Sequence, residues 1–563
     1  MSTHSTKPGN PQKTSAKGRN AREEAVAPTG TQDIPESAWR ISAVVIFLIA
    51  AVLRFYNLNL VPLHHDEGVN GNFLVRLVRE GFYQYDPANY HGPTLYYFSA
   101  VIPWIAKLLF GSSVRDKYGL TTFNIRLVTV LFGLGTIVLV FLLRRRLGTI
   151  ATLSAALLLA VSPGAVYLSR YFIHESLFVF FTLGIVVACV WAYDKRHPGY
   201  LIPGAACAAL LFATKETAMI SAGVMLIALV STVVYIRLTG TPGGQYGSKR
   251  GKHSGGLSYM IDELGGSGSI MPAIATAVFV FLAVYLLFYS SFFTNAKGIS
   301  DSLQTFAVWT KTGSTAHVHD TRTYFEWLIR IESPLLLLGA IGAVIVVLKP
   351  KNSFALFCAL WAFGLIAAYS LIPYKTPWLM LNFVIPLALI SGYTLQAIYE
   401  MDRGQLRLVS VVLLVAVGVA TYQSIDLNFV NYDNDNEKYV YVYAHTRRGT
   451  LDLVNQIEQI AKESSGDLTG ITIVSPDYWP LPWYFRNFSR VGYFGRMATS
   501  NEPLIIANEN QKEEMERNFG QFYRQVPSKD EGGTFELRPG VRLLLYVRRP
   551  EAPQSKPPSI QNP

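Results

Sequence analysis

Long apolar runs separated by short polar breaks dominate the chain, and their length decides the architecture. A helix needs about 20 apolar residues to cross the hydrocarbon core of a bilayer. Runs near that length stand at 41–58, 124–143, 149–169, 174–193, 199–214, 217–237, 271–293, 327–348, 353–372, 377–399 and 406–424, which predicts eleven spanning helices. The run 93–110 is predicted to be re-entrant or interfacial, because counting it as a span breaks the charge alternation described below. After residue 425 the period changes. A helical pattern at 449–463 precedes the strand-like ITIVS at 471–475, LIIAN at 504–508 and RLLLYVR at 542–548, the pattern of a small α/β unit. No repeat of fixed period stands out.

Composition agrees with this pattern. Half of the 563 residues are hydrophobic and 15% are charged, too apolar for a soluble chain of this size to keep its surface wet. Residues 1–38 lack any apolar run and predict a disordered cytoplasmic tail, and 551–563 predict a second disordered tail. Between them lie a membrane domain at 39–425, with a first outer loop at 59–123, and an extracytoplasmic α/β domain at 426–550. The first apolar run has neither the short basic leader nor the small-residue cleavage site of a removable signal peptide. Cys189, Cys207 and Cys358 each fall inside an apolar run and read as packing residues.

The net charge of +11 does not form the continuous basic stripe of a nucleic-acid binder. It sits instead at alternate connections: Arg144, Arg145 and Arg146; Lys195 and Arg196; Arg237 with Lys249, Arg250 and Lys252; Lys349 and Lys351; Arg403 and Arg407. Cytoplasmic connections of membrane proteins carry such an excess, so the N-terminus is expected inside and the C-terminal unit outside.

With that orientation, four polar clusters fall on the outer side, where ionisable groups at membrane depth point to function. The first is His64, His65, Asp66 and Glu67, ahead of a short helical stretch and followed by His91-Gly92-Pro93; its bland alternative is a solvated loop with Asp66 as helix N-cap. The second contains Arg170, His174 and Glu175, which could equally be a snorkelling arginine and a helix-capping glutamate. Lys215 and Glu216 make the third, with an internal ion pair as its structural alternative. The fourth is Tyr374 and Lys375, bracketed by Pro373 and Pro377, which stiffen the backbone around the lysine. Histidine and carboxylate side chains suit a divalent metal, but no recognised ligand spacing supports one, and no cofactor motif is present.

Carboxylates and cations at one membrane face suit transfer of a sugar from a polyprenyl phosphate. A carboxylate beside the acceptor takes its proton, and cations beside the phosphate stabilise the charge that grows as the glycosidic bond breaks. Asp66 is the expected base, with Glu67 beside it, and Glu175 is expected to position the acceptor, a water or a metal. Lys375 and Lys215 are the expected phosphate ligands, Arg170 a third, and His65, His91, Glu216 and Tyr374 are expected at the substrate. The rival class is a lipid-linked oligosaccharide flippase, whose polar groups would gather near the bilayer midplane in two related halves.

The acidic pair in HHDEGVN, the following HGPTLYY, the helix that opens IRLVTVLFG and ends RRRLG, and SPGAVYLSRYFIHESLFVFF resemble the GT-C glycosyltransferase superfamily. The branches it most resembles are the bacterial aminoarabinose and Rgt-type transferases and the protein O-mannosyltransferases. HHDEGVN, KTPW and SPDYWPLPWYFR also resemble a prokaryotic subfamily named for flippase-associated activity in archaeal protein glycosylation. The resemblance spans roughly residues 40–400. It implies a GT-C bundle in the cell envelope, a polyprenyl-phosphate sugar donor, a glycan, lipid or protein acceptor, and Asp66, Glu175 and Lys375 at the family's acidic and phosphate-contacting positions. His91-Gly92-Pro93 stands where many relatives have a lysine and two prolines, and Glu175 where many have aspartate.

Overall fold

The computed structural model describes residues 34–87, 91–111, 119–239, 266–315, 317–401, 406–529 and 531–550. The tails expected at 1–38 and 551–563 lie outside these residues except for 34–38, as do Lys249, Arg250, Lys252 and Arg403. The main helices of the first half are α1 (Glu36–Phe55), α2 (His65–Glu80), α3 (Thr94–Phe110), α4 (Thr122–Phe141), α5 (Thr149–Val161), α6 (Pro163–Ser169), α7 (Glu175–Asp194), α8 (Leu201–Phe212) and α9 (Ala218–Thr239). Those of the second half are α10 (Ser267–Tyr289), α11 (Lys297–Thr315), α12 (Thr323–Ile331), α13 (Ser333–Leu348), α14 (Ser353–Leu371), α15 (Leu381–Met401) and α16 (Leu406–Ile425).

Among the described residues, eight helices are long and apolar enough to cross a bilayer, or ten segments when two bent pairs each count as one. The chain is a multi-pass helical membrane protein. The expected count of eleven loses 199–214, which folds as the 12-residue α8. At 1.5 Å per residue such a helix spans only about 18 Å of a core of about 30 Å. The run at 93–110 forms the 17-residue α3 with Pro103 inside it.

Two spans bend for a local reason. Pro163 and Pro334, each within the first two residues of its helix, cannot donate a backbone hydrogen bond to the preceding turn, so α5 and α6 meet at 60° and α12 and α13 at 111°. Glu332, buried at the second bend, ties it to the first: its carboxylate accepts from the Ser162 hydroxyl at 2.9 Å and the Gly164 amide at 2.8 Å. Helix α15 is the axis of the bundle, with 94% of its spanning window buried.

The basic connections that are described meet at one end of the bundle. Arg144 pairs with Glu36 at 2.7 Å, Arg146 pairs with Asp194, and the Asn352 side-chain amide donates to the Arg146 carbonyl at 2.8 Å.

The C-terminal unit contains α17 (Gly449–Glu463), α18 (Lys512–Phe519) and strands β1 (Ile471–Ile473), β2 (Val491–Tyr493), β3 (Leu504–Asn508), β4 (Tyr523–Gln525), β5 (Phe535–Arg538) and β6 (Val541–Arg548). The sheet runs β2-β1-β3-β6-β4, with β5 also on β6; β1 is parallel to β2 and β3, and the pairs made by β6 are antiparallel. Side-chain alternation builds a core on each face. Leu504 and Ile506 pack with Leu453 and Ile457 of α17, while Ile505 and Ala507 pack with Met515 and Phe519 of α18.

This unit docks directly on α2. The Tyr484 hydroxyl accepts from the Leu63 amide at 2.9 Å, and Trp483 is 1% exposed within the main core. Glycines on α2 make the approach possible: a Cβ at Gly68 would lie 2.5 Å from Pro480, and one at Gly71 2.6 Å from the Trp483 ring.

Candidate active site

The four polar clusters come together at one end of the bundle, on the segments that join α1 to α2, α6 to α7, α8 to α9 and α14 to α15. The first is organised by a buried ion pair. His64, rather than Asp66, is the N-cap of α2: its Nδ1 accepts from the Asp66 amide at 3.1 Å, and the Glu67 carboxylate accepts from the His64 amide at 3.0 Å. Glu67 is fully buried and accepts from Arg126 Nε at 2.7 Å, from a terminal guanidinium nitrogen at 2.6 Å, and from the Phe172 amide at 2.7 Å. Arg126 also donates to the carbonyls of Leu58, Val61 and Pro62. Glu67 therefore joins α2, α4 and the 170–175 turn.

With Glu67 so engaged, Asp66 is the acidic side chain of this cluster that remains partly exposed. It is 25% exposed, lies 3.9 Å from His64 Nδ1, and accepts no hydrogen bond among the described residues. His65 stacks at 6.0 Å against Trp479 of the C-terminal unit. Burial holds its imidazole below the ordinary value, while Asp66 and Asp477 pull the other way.

In the second cluster, Arg170 is not a snorkelling side chain. It donates to the carbonyls of Leu53, Arg54, Tyr56 and Asn57, satisfying the C-terminal end of α1, and covers the Phe429 ring at 4.7 Å. Glu175 meets Lys215 at 2.5 Å with both side chains 4% exposed, so the ion pair of the third cluster is made with Glu175 instead of Glu216. The neighbouring segments touch through their backbones: Gly92 and Thr94 donate to the carbonyls of Thr214 and Ala213. Glycine is required there, since a Cβ at Gly92 would sit 2.2 Å from the Ala213 carbonyl oxygen.

That contact brings His91 Nδ1 within 3.0 Å of Glu216, with the His91 ring stacked on Trp309 at 5.2 Å. Burial works to raise the Glu216 carboxyl, but His91 beside it and then Lys215 outweigh burial and hold it below the usual carboxylate value. His174 donates through Nε2 to the Gly92 carbonyl, 2.9 Å away. Burial, with His91 and Lys215 nearby, pushes its imidazole well below the ordinary range.

The fourth cluster closes the set. Tyr374 pairs with Val318 across an isolated bridge, and the Lys375 amide donates to the His317 carbonyl at 3.0 Å. The Lys375 ammonium, 1% exposed, donates to the carbonyls of Ser370 at 3.1 Å and Ile372 at 2.6 Å, at the C-terminal end of α14. Burial lowers its pKa, with Asp320 opposing. Burial and then the Asp66 carboxylate raise the Tyr374 phenol, Glu216 and Glu175 add to the rise, and a hydrogen bond with Thr376 works against it. One phenol thus feels carboxylates from three separate clusters, which is how closely the segments converge.

Among the described residues, no group of three or more His, Cys, Asp or Glu side chains is placed to hold a metal ion. Sequence reasoning missed Arg126, Trp309, His317 and Glu332, and also the buried His445, whose ring lies 5.7 Å from that of His64 and whose Nδ1 is 3.4 Å from the Tyr167 hydroxyl. Arg126 and Glu332 carried a usable signal, since each is a charge inside an apolar run.

Residues 99–247 match the family described as dolichyl-phosphate-mannose-protein mannosyltransferase. Among solved structures, ArnT from Cupriavidus metallidurans bound to undecaprenyl phosphate aligns over 91% of this chain and 98% of its own, with 14% identity and a TM-score of 0.59. The fold is that of the GT-C glycosyltransferases. The oligosaccharyltransferase of Archaeoglobus fulgidus tethered to an acceptor peptide aligns over 92% of this chain and 75% of its own, at 13% identity and a TM-score of 0.51. The same archaeal enzyme in complex with an inhibitory peptide and a dolichol-phosphate gives 13% identity and a TM-score of 0.50 over the same shares. No curated protein matches by sequence. The GT-C resemblance seen in the motifs is thereby borne out, as are the helical bundle and the small α/β unit that the hydrophobic periods predicted.

Proposed function

We propose that this protein transfers a sugar from a polyprenyl-phosphate donor to an acceptor hydroxyl at the extracytoplasmic face of the membrane, with Asp66 as general base. The observation that carries the reading is the partly exposed Asp66 carboxylate, which accepts no hydrogen bond among the described residues and acts together with Glu175 and Glu216 on Tyr374, beside the buried Lys215–Glu175 pair. Two solved structures of the same fold hold a polyprenyl phosphate, undecaprenyl phosphate in one and dolichol-phosphate in the other. The acceptor oxygen attacks the anomeric carbon and passes its proton to Asp66. The bond from that carbon to the phosphate oxygen breaks, and the electron pair leaves with the lipid phosphate. Lys375, whose ammonium donates to two backbone carbonyls and makes no direct ion pair among the described residues, attracts that phosphate. Lys215 and Glu175 act as a pair that positions the acceptor, and His91 with Glu216 borders the donor sugar. Glu67 and Arg170, consumed by structural partners, position the site without touching substrate.

Asp66→Asn tests the assignment. In purified protein given polyprenyl-phosphate sugars, transfer should fall by about 10²- to 10⁴-fold, the usual contribution of a positioned acid or base. Lipid-phosphate binding and thermal stability should be retained. Turnover near that of the parent would remove Asp66 from the chemistry.

A further inference from the structure

The aromatic stretch of the C-terminal unit is not absorbed by the reaction at Asp66. His65, Trp479, Tyr478 and Tyr493 form a continuous row of rings with successive centroid separations of 6.0, 5.8 and 5.2 Å and interplanar angles of 50°, 33° and 43°. The row starts beside the proposed base, because His65 is its neighbour in sequence and Trp479 approaches Gly68 on the same helix. It runs outward along the carboxyl ends of the parallel strands β1 and β2, the edge of an open sheet where ligands bind. Tyr493 is 36% exposed at its far end. Polar groups flank the rings: Arg538 pairs with Asp477 at the end of β1, and both act on His65.

We infer that this row is an acceptor subsite for a saccharide, so that the acceptor is a glycan whose sugar rings lie on Trp479, Tyr478 and Tyr493 while its terminal hydroxyl reaches Asp66. Pyranose rings carry one apolar face of C–H bonds, which pack on aromatic faces, and hydroxyl edges, which a carboxylate and a guanidinium can hold. A few placed polar groups beside an aromatic surface are the general make-up of such sites. Contact with lipid is the less fitting use of this surface. Phe494, 52% exposed beside Tyr493, is the one apolar tip a membrane could take up, whereas Tyr478 and Trp479 are half-buried beside an ion pair and an imidazole. The inference rests on the glycosyltransferase reading and names the acceptor class for that site.

The test uses the full chain in lipid nanodiscs and saturation-transfer NMR with three probes: methyl α-mannoside, maltotriose and N,N′-diacetylchitobiose. Ring protons of at least one sugar should take up saturation. Tyr478→Ala/Tyr493→Ala should weaken that sugar by at least about tenfold, equivalent to ~1.4 kcal/mol. Tyr478→Phe/Tyr493→Phe, which keeps the rings, should bind as the parent does. Silence from all three sugars, or equal loss in the phenylalanine variant, overturns the subsite. A spin label at Phe494→Cys, in a chain lacking Cys189, Cys207 and Cys358, should be relaxed by aqueous nickel reagent. Relaxation by oxygen instead would make the surface a lipid contact and also overturn it. Undecaprenyl phosphate binding is measured on the same samples. Its presence without sugar binding rejects this inference alone, and its absence in the parent rejects the transferase reading.

Discussion

Arg126→Met should cost this protein more than any other single change near the site, and the structure gives the size of the loss. Glu67 is 0% and Arg126 2% exposed, so removing the guanidinium leaves a carboxylate buried without a counter-charge. Breaking a buried pair from one side typically costs about 3 to 5 kcal/mol. The carbonyls of Leu58, Val61 and Pro62 lose their Arg126 donor at the same time, which places the loss at the upper end of that range. Against a total stability of about 5 to 15 kcal/mol this is a large fraction. The companion variant Glu67→Gln should also destabilise, whereas Glu67→Gln/Arg126→Met leaves no unpaired buried charge and should lose clearly less than the sum of the two. The assay is unfolding in mixed micelles of rising denaturing-detergent content, followed by tryptophan fluorescence and arranged as a double-mutant cycle. A loss for Arg126→Met under about 1 kcal/mol, or additivity within about 0.5 kcal/mol, would refute the argument that this pair anchors α2.

Lys375→Ala should raise the apparent KM for the lipid-phosphate donor by about tenfold or more, read in steady-state kinetics; an unchanged KM rejects the phosphate contact. Lys215→Met should destabilise by about 3 to 5 kcal/mol by stranding Glu175, and adding Glu175→Gln should restore stability but not transfer. Recovery of transfer in the double variant would make the pair structural only. Two buried histidines should make the fold weaken in acid. His174 and His445, both buried with pKa values well below the ordinary histidine value, stay neutral in the folded chain while the unfolded chain takes up protons below about pH 6.5. Unfolding therefore binds protons, and stability should fall as pH drops from 7 to 5, by at most ~1.4 kcal/mol per pH unit for each histidine. Glu216, held below its usual value, keeps its contribution above pH ~4.5 and loses it only at lower pH. A melting temperature in detergent that stays level or rises over pH 7 to 5 would contradict this.

What the sequence by itself determined was everything that depends on local pattern. The eight long spans follow from runs of apolar side chains, since an unbroken run can satisfy its backbone in lipid only as a helix. The strands at 504–508 and 541–548 and the helix at 449–463 follow from their periods in the same way. Charges stranded between apolar runs marked all four polar clusters, because a charge at that depth needs a reason to be there.

Tertiary structure alone decided who partners whom. Glu67 and Asp66 are adjacent carboxylates with the same local signal, yet one is sealed against Arg126, 59 residues away, and the other stays partly exposed, 3.9 Å from His64. Lys215 passes over its neighbour Glu216 to meet Glu175, while Glu216 goes to His91. The cap of α2 fell to His64 rather than Asp66 because Glu67, placed by Arg126, completes its hydrogen bonds. Coulomb energy at short range falls steeply with distance and dielectric, so such choices depend on how distant segments pack and on which of them exclude water. That information is spread over the whole chain and is carried by no single stretch of it.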